Sequence, residues 1–455
     1  MISFYNTLTR KLEEFKPINP PNVGIYSCGP TVYWNQHIGH MYAYVQWDVL
    51  VRLLRSQNFK VKWAMNITDV GHLTSDADLG EDKMEKGAKR EGLTVWQIAD
   101  KYIEQFLQSV DLLNIQRPDV LCRATEHIQE QIDLIKKIEA RGFTYLTKTG
   151  LVFDTSKFPQ YADFAKLNLE KQEAGARVKV DPEKKNPWDF LLWVTNQPGH
   201  VMLWDSPWGK GFPGWHIECT AMSVKYLGER FDIHTGGIEH ISVHHTNEIA
   251  QGYGAFGCQT ANFWLHNGWL AMKGEKISKS LGNMILVADL MEKEFDPLAL
   301  RYLILNSHYR QGMNFTWEAL EAAQTALNNL RSEIRNWDRP KIGCAEYEKR
   351  FMEALNNDLN VSQGLAILWE LVKSDQPTSA KAESLLKFDK ILGLKLDEYL
   401  GKPLEIPKEV QKLVDEREKV RKVGDFKKAD ELRSRIEKTG YEVEDVPGGP
   451  KLKAK

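Results

Sequence analysis

The sequence predicts an α/β protein: a parallel sheet interrupted by an insertion, then a helical bundle and a small terminal domain. Three observations near the start carry this. Residues 23–28, VGIYSC, are a short apolar run that stops at Gly29-Pro30; residues 38–57, from Ile38 through VQWDVLVRLLRSQ, carry apolar side chains at helical spacing; FKVKWAMNIT (59–68) is a second strand-like run. Strand, helix and strand in that order make a βαβ unit, whose strands are parallel and whose ligands sit at the carboxyl ends. Cys28, Thr68 and Asp69 stand at that end.

The later elements follow in order. Residues 95–116 are a further amphipathic helix. From about 120 to 200 the texture changes to short β-like pieces (GLVFDT), charged loops and a Pro-Gly bend at 198–199, which reads as an insertion. FDIHTGG (231–237) returns the chain to the sheet, and HHTNEIAQGYGAF (244–256) opens a helix. Between 317 and 400, WEALEAAQTALNNLRSEI and FMEALNNDLNVSQGLAILWELVK are long amphipathic segments of the kind that pack as a bundle. Residues 401–455 shift again, with 15 Lys and Arg against 12 Asp and Glu in a chain whose net charge is −2. The stretch 416–438 interleaves nine bases with six acids and reads as an exposed helix laced by ion pairs.

Composition bounds the function. At 455 residues the chain exceeds one compact core, and 42% hydrophobic residues with 14 tryptophans can fill several. No apolar run reaches the roughly 18 residues of a membrane span, and the amino terminus carries no hydrophobic signal segment, so a cytoplasmic protein without membrane contact is expected. The five cysteines, at 28, 122, 219, 258 and 344, are odd in number and widely scattered. That argues for a reducing compartment and for thiols that are buried or metal-bound.

Two clusters carry chemistry. His37 and His40, in HIGH, lie three apart at the mouth of the first helix and share a face, and Gly39 between them leaves room for a ligand. A helix start offers unpaired N–H groups and a partial positive charge, which suit a phosphate, although two histidines there can also simply cap and pack. Far downstream, GEKISKSLG (274–282) sets Lys276 and Lys279 in a glycine-flanked polar loop, as a solvated loop or as a cationic flap for a polyphosphate. HIGH on the first helix of a βαβ unit with KISKS downstream resembles the class I aminoacyl-tRNA synthetases, whose Rossmann-type catalytic domain carries HIGH and KMSKS in that order.

Cys28, Cys219, His244 and Glu248 form a Cys₂-His-Glu set suited to tetrahedral zinc, His244 and Glu248 sharing a helical face four residues apart. From spacing alone, the commoner reading is structural: buried cysteines acting as small hydrophobes and a surface His-Glu contact. His216 and His234 read as hydrogen-bonded core residues. The runs PTVYWNQHIGH, NITD, EAGARVKVD, NPWDFLLW, SPWGKGFPGWHIECTAM, HHTNEIAQ, HNGW, KISKSLGN and HYR are similar to those of cysteinyl-tRNA synthetases from about Phe4 to Trp317.

That resemblance implies one Zn²⁺ per chain on Cys28, Cys219, His244 and Glu248, reading the substrate thiol. It implies L-cysteine against Gly29, Thr68 and Trp215, and ATP with Mg²⁺ against His37, Gly39, His40, Gly236, Gly237, Glu239 and Lys279. His37, His40, Lys276 and Lys279 would be catalytic. Where the family carries a glycine run and an aspartate for the ribose, this chain reads HTGGIEH; Ile277 replaces the methionine of KMSKS, and Thr246 stands inside HHTNE. The implied division is a Rossmann catalytic domain in halves 1–119 and 201–265 around a connective insertion 120–200, a KMSKS-loop and stem-contact region 266–316, a helical bundle 317–400 and an anticodon-binding domain 401–455. The implied partner is tRNA(Cys), met by a monomer. A related ligase joining cysteine to an amino-sugar in mycothiol synthesis shares HIGH, KMSKS and zinc but not the terminal domain, so residues 401–455 argue against it. Intact histidines and lysines argue against an idle RNA-binding descendant.

Overall fold

The computed structural model describes residues 1–72, 82–167, 183–197, 199–272, 275–276, 284–446 and 449–454. The strands Asn22–Ser27, Lys60–Ile67, Val120–Arg123, Phe231–Gly237 and Ala261–Asn267 form one parallel sheet. Asn22–Ser27 pairs with Lys60–Ile67 on one side and with Phe231–Gly237 on the other, and the order runs outward from it in both directions. This is the doubly wound arrangement, whose crevice opens at the carboxyl ends of the two strands where the winding reverses. Cys28 follows one of those strands, and Gly236 and Gly237 end the other.

The local sequence explains the elements. Trp63 through Ile67 are buried without alternation, as befits a strand covered on both faces. Ile38–Ser56 is buried on nearly every face, Tyr44, Trp47, Leu50 and Leu54 as well as Ile38, Met41, Val45 and Val49, as befits a helix covered on more than one side. The expected helix over 95–116 ends at Leu112, because Asn114 turns into the left-handed region with φ 51°.

One expectation is corrected. Val120–Arg123 falls in the stretch read as insertion, yet it is the edge strand of the parallel sheet, with Ala64 opposite Val120 and Ile67 opposite Arg123, and a helix, Ile128–Ala140, follows it. Four residues are too few to show a period, and their partner is fixed only by non-local pairing. The insertion is an antiparallel sheet of Thr144–Thr147, Gly150–Phe153, Phe190–Thr195 and Gly211–Pro213, so it runs past 200.

The chain divides into two compact units: Met1–Glu292 with Ser307–Asn314 and Leu355–Asn360, and Lys293–Asn306 with Phe315–Ala354 and Val361–Lys455. The second holds the helices Pro297–Leu305, Trp317–Ile334, Val361–Lys373 and Thr378–Leu392, where buried Arg301 donates through Nε to the Leu392 carbonyl at 2.6 Å. Its terminal part packs Val410, Val414, Ile436 and Val443 between two helices and the hairpin Tyr441–Val446/Gly449–Ala454. The single helix read over 416–438 is two, Lys408–Lys422 and Phe426–Glu437, broken at Gly424, whose φ of 82° suits a residue without a side chain.

Candidate active site and metal cluster

The crevice at the switch point encloses about 390 Å³, and Cys28, Gly29, His37, Gly39, His40, Thr68, Trp215, Cys219, Gly236, Gly237, Glu239 and His244 all line it. Glu248 lies behind them, 1% exposed. Lys276 is in a short strand, Glu275–Lys276, paired antiparallel with Leu270–Met272; Lys279 lies outside the described residues. Past that stretch, the Ile285 carbonyl accepts the Ile38 N–H at 2.9 Å, so the chain is fixed again beside the first helix.

His37 is the N-cap of that helix. Its Nδ1 accepts the Gly39 N–H at 3.1 Å, His40 Nδ1 accepts the His37 N–H at 3.2 Å, and the two ring centres lie 3.9 Å apart with the planes tilted by 37°. The histidines thus form a reciprocal cap usually built from hydroxyl and carboxylate side chains. With each Nδ1 accepting, the proton of each neutral ring sits on Nε2. Gly29 is fixed by close approach: its N–H donates to Asn66 Oδ1 at 2.7 Å, and a Cβ there would lie 1.7 Å from the Asn66 carbonyl oxygen.

Four donors converge below the crevice: one ligand atom each from Cys28, Cys219, His244 and Glu248 lies within 4.8 Å of the others. Cys28 comes from a strand end, Cys219 from the helix Trp215–Leu227, His244 from the turn Ile241–His245 and Glu248 from the helix Thr246–Phe256. Although burial disfavours the charge, the His234 and His244 imidazoles beside Glu248 hold its carboxyl down to about 2. His244 is held up to about 10, the facing Glu248 carboxylate at 3.1 Å overcoming burial. Burial alone would raise the Cys28 thiol, but hydrogen bonding from Cys219 and the nearby histidines bring it well down, while Cys219 is pushed up by that same bond and by burial.

Three of the four donors are oriented from behind. His234 Nε2 lies 2.9 Å from Glu248 Oε2, His216 Nδ1 is 3.0 Å from His244 Nδ1, and His245 Nε2 is 3.3 Å from Cys28 Sγ. His245 Nδ1 in turn meets His266 Nε2 at 2.7 Å, and His266 Nδ1 meets Thr7 Oγ1 at 2.8 Å. His216 and His234 are therefore hydrogen-bonded core residues whose partners are the donor set. Trp215 stacks on His244 at 4.3 Å, and Glu239 accepts from the Trp269 indole at 2.8 Å.

Comparison with known proteins decides the family. A family described as "tRNA synthetases class I (C) catalytic domain" matches residues 14–325, and one described as "Cysteinyl-tRNA ligase anticodon binding domain" matches 405–450. "Cysteine--tRNA ligase 1" of Burkholderia lata is 46% identical over 99% of this chain and 96% of its own. "Cysteine--tRNA ligase" of Treponema denticola is 43% identical over 98% of each chain. The chain belongs to the cysteinyl-tRNA ligases. The fold of this ligase is also that of a methionyl-tRNA synthetase from Mycobacterium tuberculosis bound to methionyl-adenylate, with a TM-score of 0.55 and 15% identity over 82% of this chain and 90% of that one.

The sequence reading missed part of the ligase's crevice. Glu218 is fully buried, accepting from the Thr68 hydroxyl at 3.1 Å through Oε2 and meeting His72 Nε2 at 2.6 Å through Oε1. Asn66 Nδ2 donates to Thr68 Oγ1 at 3.0 Å, which fixes that hydroxyl from its other side. An acidic residue inside the apolar run WHIECTAM was the available signal, since a carboxylate is rarely buried without partners. Lys83, which lines the crevice with Nζ 5.8 Å from the centre of the Trp215 ring, gave none.

Proposed function

We propose that this ligase activates L-cysteine with ATP as cysteinyl-adenylate and transfers it to the 3′ end of tRNA(Cys). The observation that carries the reading is the convergence of two thiols, an imidazole and a carboxylate on the crevice that the HIGH histidines enter. The donors fit zinc. They pair sulfur with nitrogen and oxygen at tetrahedral count, and Glu248 Oε1, buried and making no aligned hydrogen bond, faces His244 Nε2 at 3.1 Å, a separation two ligand atoms of one ion can take. Zinc held by Cys28, Cys219, His244 and Glu248 would supply a soft Lewis acid for the substrate thiolate, which the hydroxyl of serine matches poorly.

The chain's own residues do the rest. Thr68, its hydroxyl fixed by Glu218 and Asn66, and Gly29 hold the amino-acid end, with Trp215 as a wall. The cysteine carboxylate oxygen attacks the α-phosphorus in line, the bond to the bridging β-phosphate oxygen breaks, and pyrophosphate leaves with Mg²⁺. His37 and His40 donate from Nε2–H to the charge growing on the α-phosphate, and Lys276 and Lys279 neutralise the leaving group. A ribose hydroxyl of the tRNA terminus then attacks the adenylate carbonyl and AMP departs. Gly236, Gly237 and Glu239, which line the crevice, would hold the nucleoside. Five unpaired thiols accord with a reducing cytoplasm, and we read the working form as a monomer.

Cysteine-dependent ATP–pyrophosphate exchange, followed by charging of tRNA(Cys), tests this. Both are expected with purified protein. Exchange without tRNA charging, together with acylation of an amino-sugar, would overturn it in favour of the mycothiol-type ligase.

A further inference from the structure

A second group of side chains converges within the same unit, away from the thiol cluster. Asp82 caps the helix Lys83–Glu91, its Oδ1 accepting the Glu85 N–H at 2.9 Å. Glu85 lies three residues on, and its Oε1 accepts the Val201 N–H at 2.7 Å. His200 comes from the insertion, between Phe190–Thr195 and Gly211–Pro213, and its ring lies flat on Phe212 at 4.0 Å. Its Nδ1 stands 3.2 Å from Asp82 Oδ2 and 3.7 Å from Glu85 Oε1, and one atom from each of the three residues lies within 4.8 Å of the others.

Proximity of acids to a histidine is common and proves nothing by itself. The informative atom is Asp82 Oδ2. The Asp82 side chain is 3% exposed, and Oδ2 is buried without a hydrogen bond although Nδ1 is 3.2 Å away. A proton on Nδ1 is therefore not aligned with it. Two lone-pair atoms held that close repel unless a proton or a cation lies between them, and a buried carboxylate oxygen left without a donor costs free energy.

Gly71 leaves room for Oδ2: a Cβ there would fall 1.8 Å from it, so a side chain at this position would displace the carboxylate. A neutral imidazole is the ligating form of His200. The separations of 3.2 and 3.7 Å lie close to the roughly 3.3–3.5 Å between nitrogen and oxygen ligands about 2.0–2.2 Å from a tetrahedral ion.

We propose that Asp82, Glu85 and His200 form a second metal site, distinct from the thiol cluster, for a divalent ion of the zinc and manganese class. One imidazole and two carboxylates suit such ions and offer no soft ligand. An ion there ties the insertion to the first turn of the helix that begins with Lys83, a residue of the crevice wall.

The test is the metal content of the full-length protein, stripped with chelator and dialysed against excess zinc and then buffer. Wild type is expected to hold two ions per chain. His200→Ala and Glu85→Gln should each hold one, and Cys219→Ser should lose the other. Cobalt(II) separates the sites, because thiolate-to-cobalt charge-transfer absorption should persist in His200→Ala and vanish in Cys219→Ser. Melting curves establish that each variant is folded, and Glu85→Gln, at the more exposed position, serves if His200→Ala is not. Wild type holding a single ion, or folded His200→Ala and Glu85→Gln both holding two, overturns the proposal.

Discussion

At the scale of the residue, His37 both closes a helix and presents an N–H to the crevice, and substitution can separate these. Asparagine is a good N-cap, so His37→Asn should stay within about 0.5 kcal/mol of wild-type stability, whereas His37→Ala should lose about 1 kcal/mol. Both should slow pyrophosphate exchange by about 10²–10³-fold, the usual loss for one donor to developing charge. Denaturant midpoints beside exchange rates check this; His37→Asn with full exchange would reduce the residue to a cap. Glu218 is buried between Thr68 and His72, and Glu218→Gln leaves one of those contacts mismatched. A stability loss of about 1–3 kcal/mol is expected, with a raised KM for cysteine and unchanged zinc content. Loss of zinc would show that Glu218 supports the cluster instead. Cys219→Ser should release zinc and relax selectivity against serine, measured as the ratio of exchange rates with the two amino acids.

At the scale of the element, the terminal hairpin is pinned to its helix by one carboxylate. Arg417, its side chain 3% exposed, reaches both Asp445 oxygens at 2.8 and 2.9 Å, and Arg421 joins them. Bonding from Arg417 first, and from Arg421, holds the Asp445 carboxyl well below its usual range despite some burial. A depressed carboxylate contributes stability that is fully present above its unfolded pKa of about 3.9 and is lost as pH falls toward the folded value. Acid should therefore loosen this element, and Asp445→Asn should flatten that limb of the unfolding profile. At neutral pH its cost should be about 1 kcal/mol, discounted because Asp445 is partly exposed. An unaltered acid limb in the variant would mean that another carboxylate governs it.

At the scale of the whole molecule, the proposed activation uses the sheet, the thiol cluster and the KISKS loop, all within 1–292, while the domain matched to anticodon binding lies at 405–450. Removing residues after Leu400 should leave cysteine-dependent exchange largely intact and sharply lower tRNA charging. The binding lost should weaken with salt, as phosphate contacts release counterions. The cut uncovers part of the helix Trp317–Ile334, whose Asn329 accepts from Lys453 at 2.9 Å, so a lowered melting temperature is expected and a folded truncation must be verified first. A folded truncation that charges tRNA as well as the full chain would remove the tail from tRNA recognition.

What the sequence determined by itself was local or chemical in kind. The helical spacing of apolar residues over 38–57, the strand-like runs 23–28 and 59–68 on either side of it and their order required only neighbours along the chain, and they pointed to a parallel sheet with its crevice at Cys28. The residue types of the thiol cluster were legible, and similarity of motifs, not spacing, joined Cys28 to partners about two hundred residues away. Only the tertiary structure decided that Val120–Arg123 belongs to the sheet, that Gly424 splits a charged run into two helices, that Glu218 stands behind Thr68, and that His200 meets Asp82. Each of these depends on a contact between segments far apart in sequence or on a backbone angle that several residue types tolerate. Periodicity reports which face of an element is buried, and it carries no information about which distant side chain that face will meet.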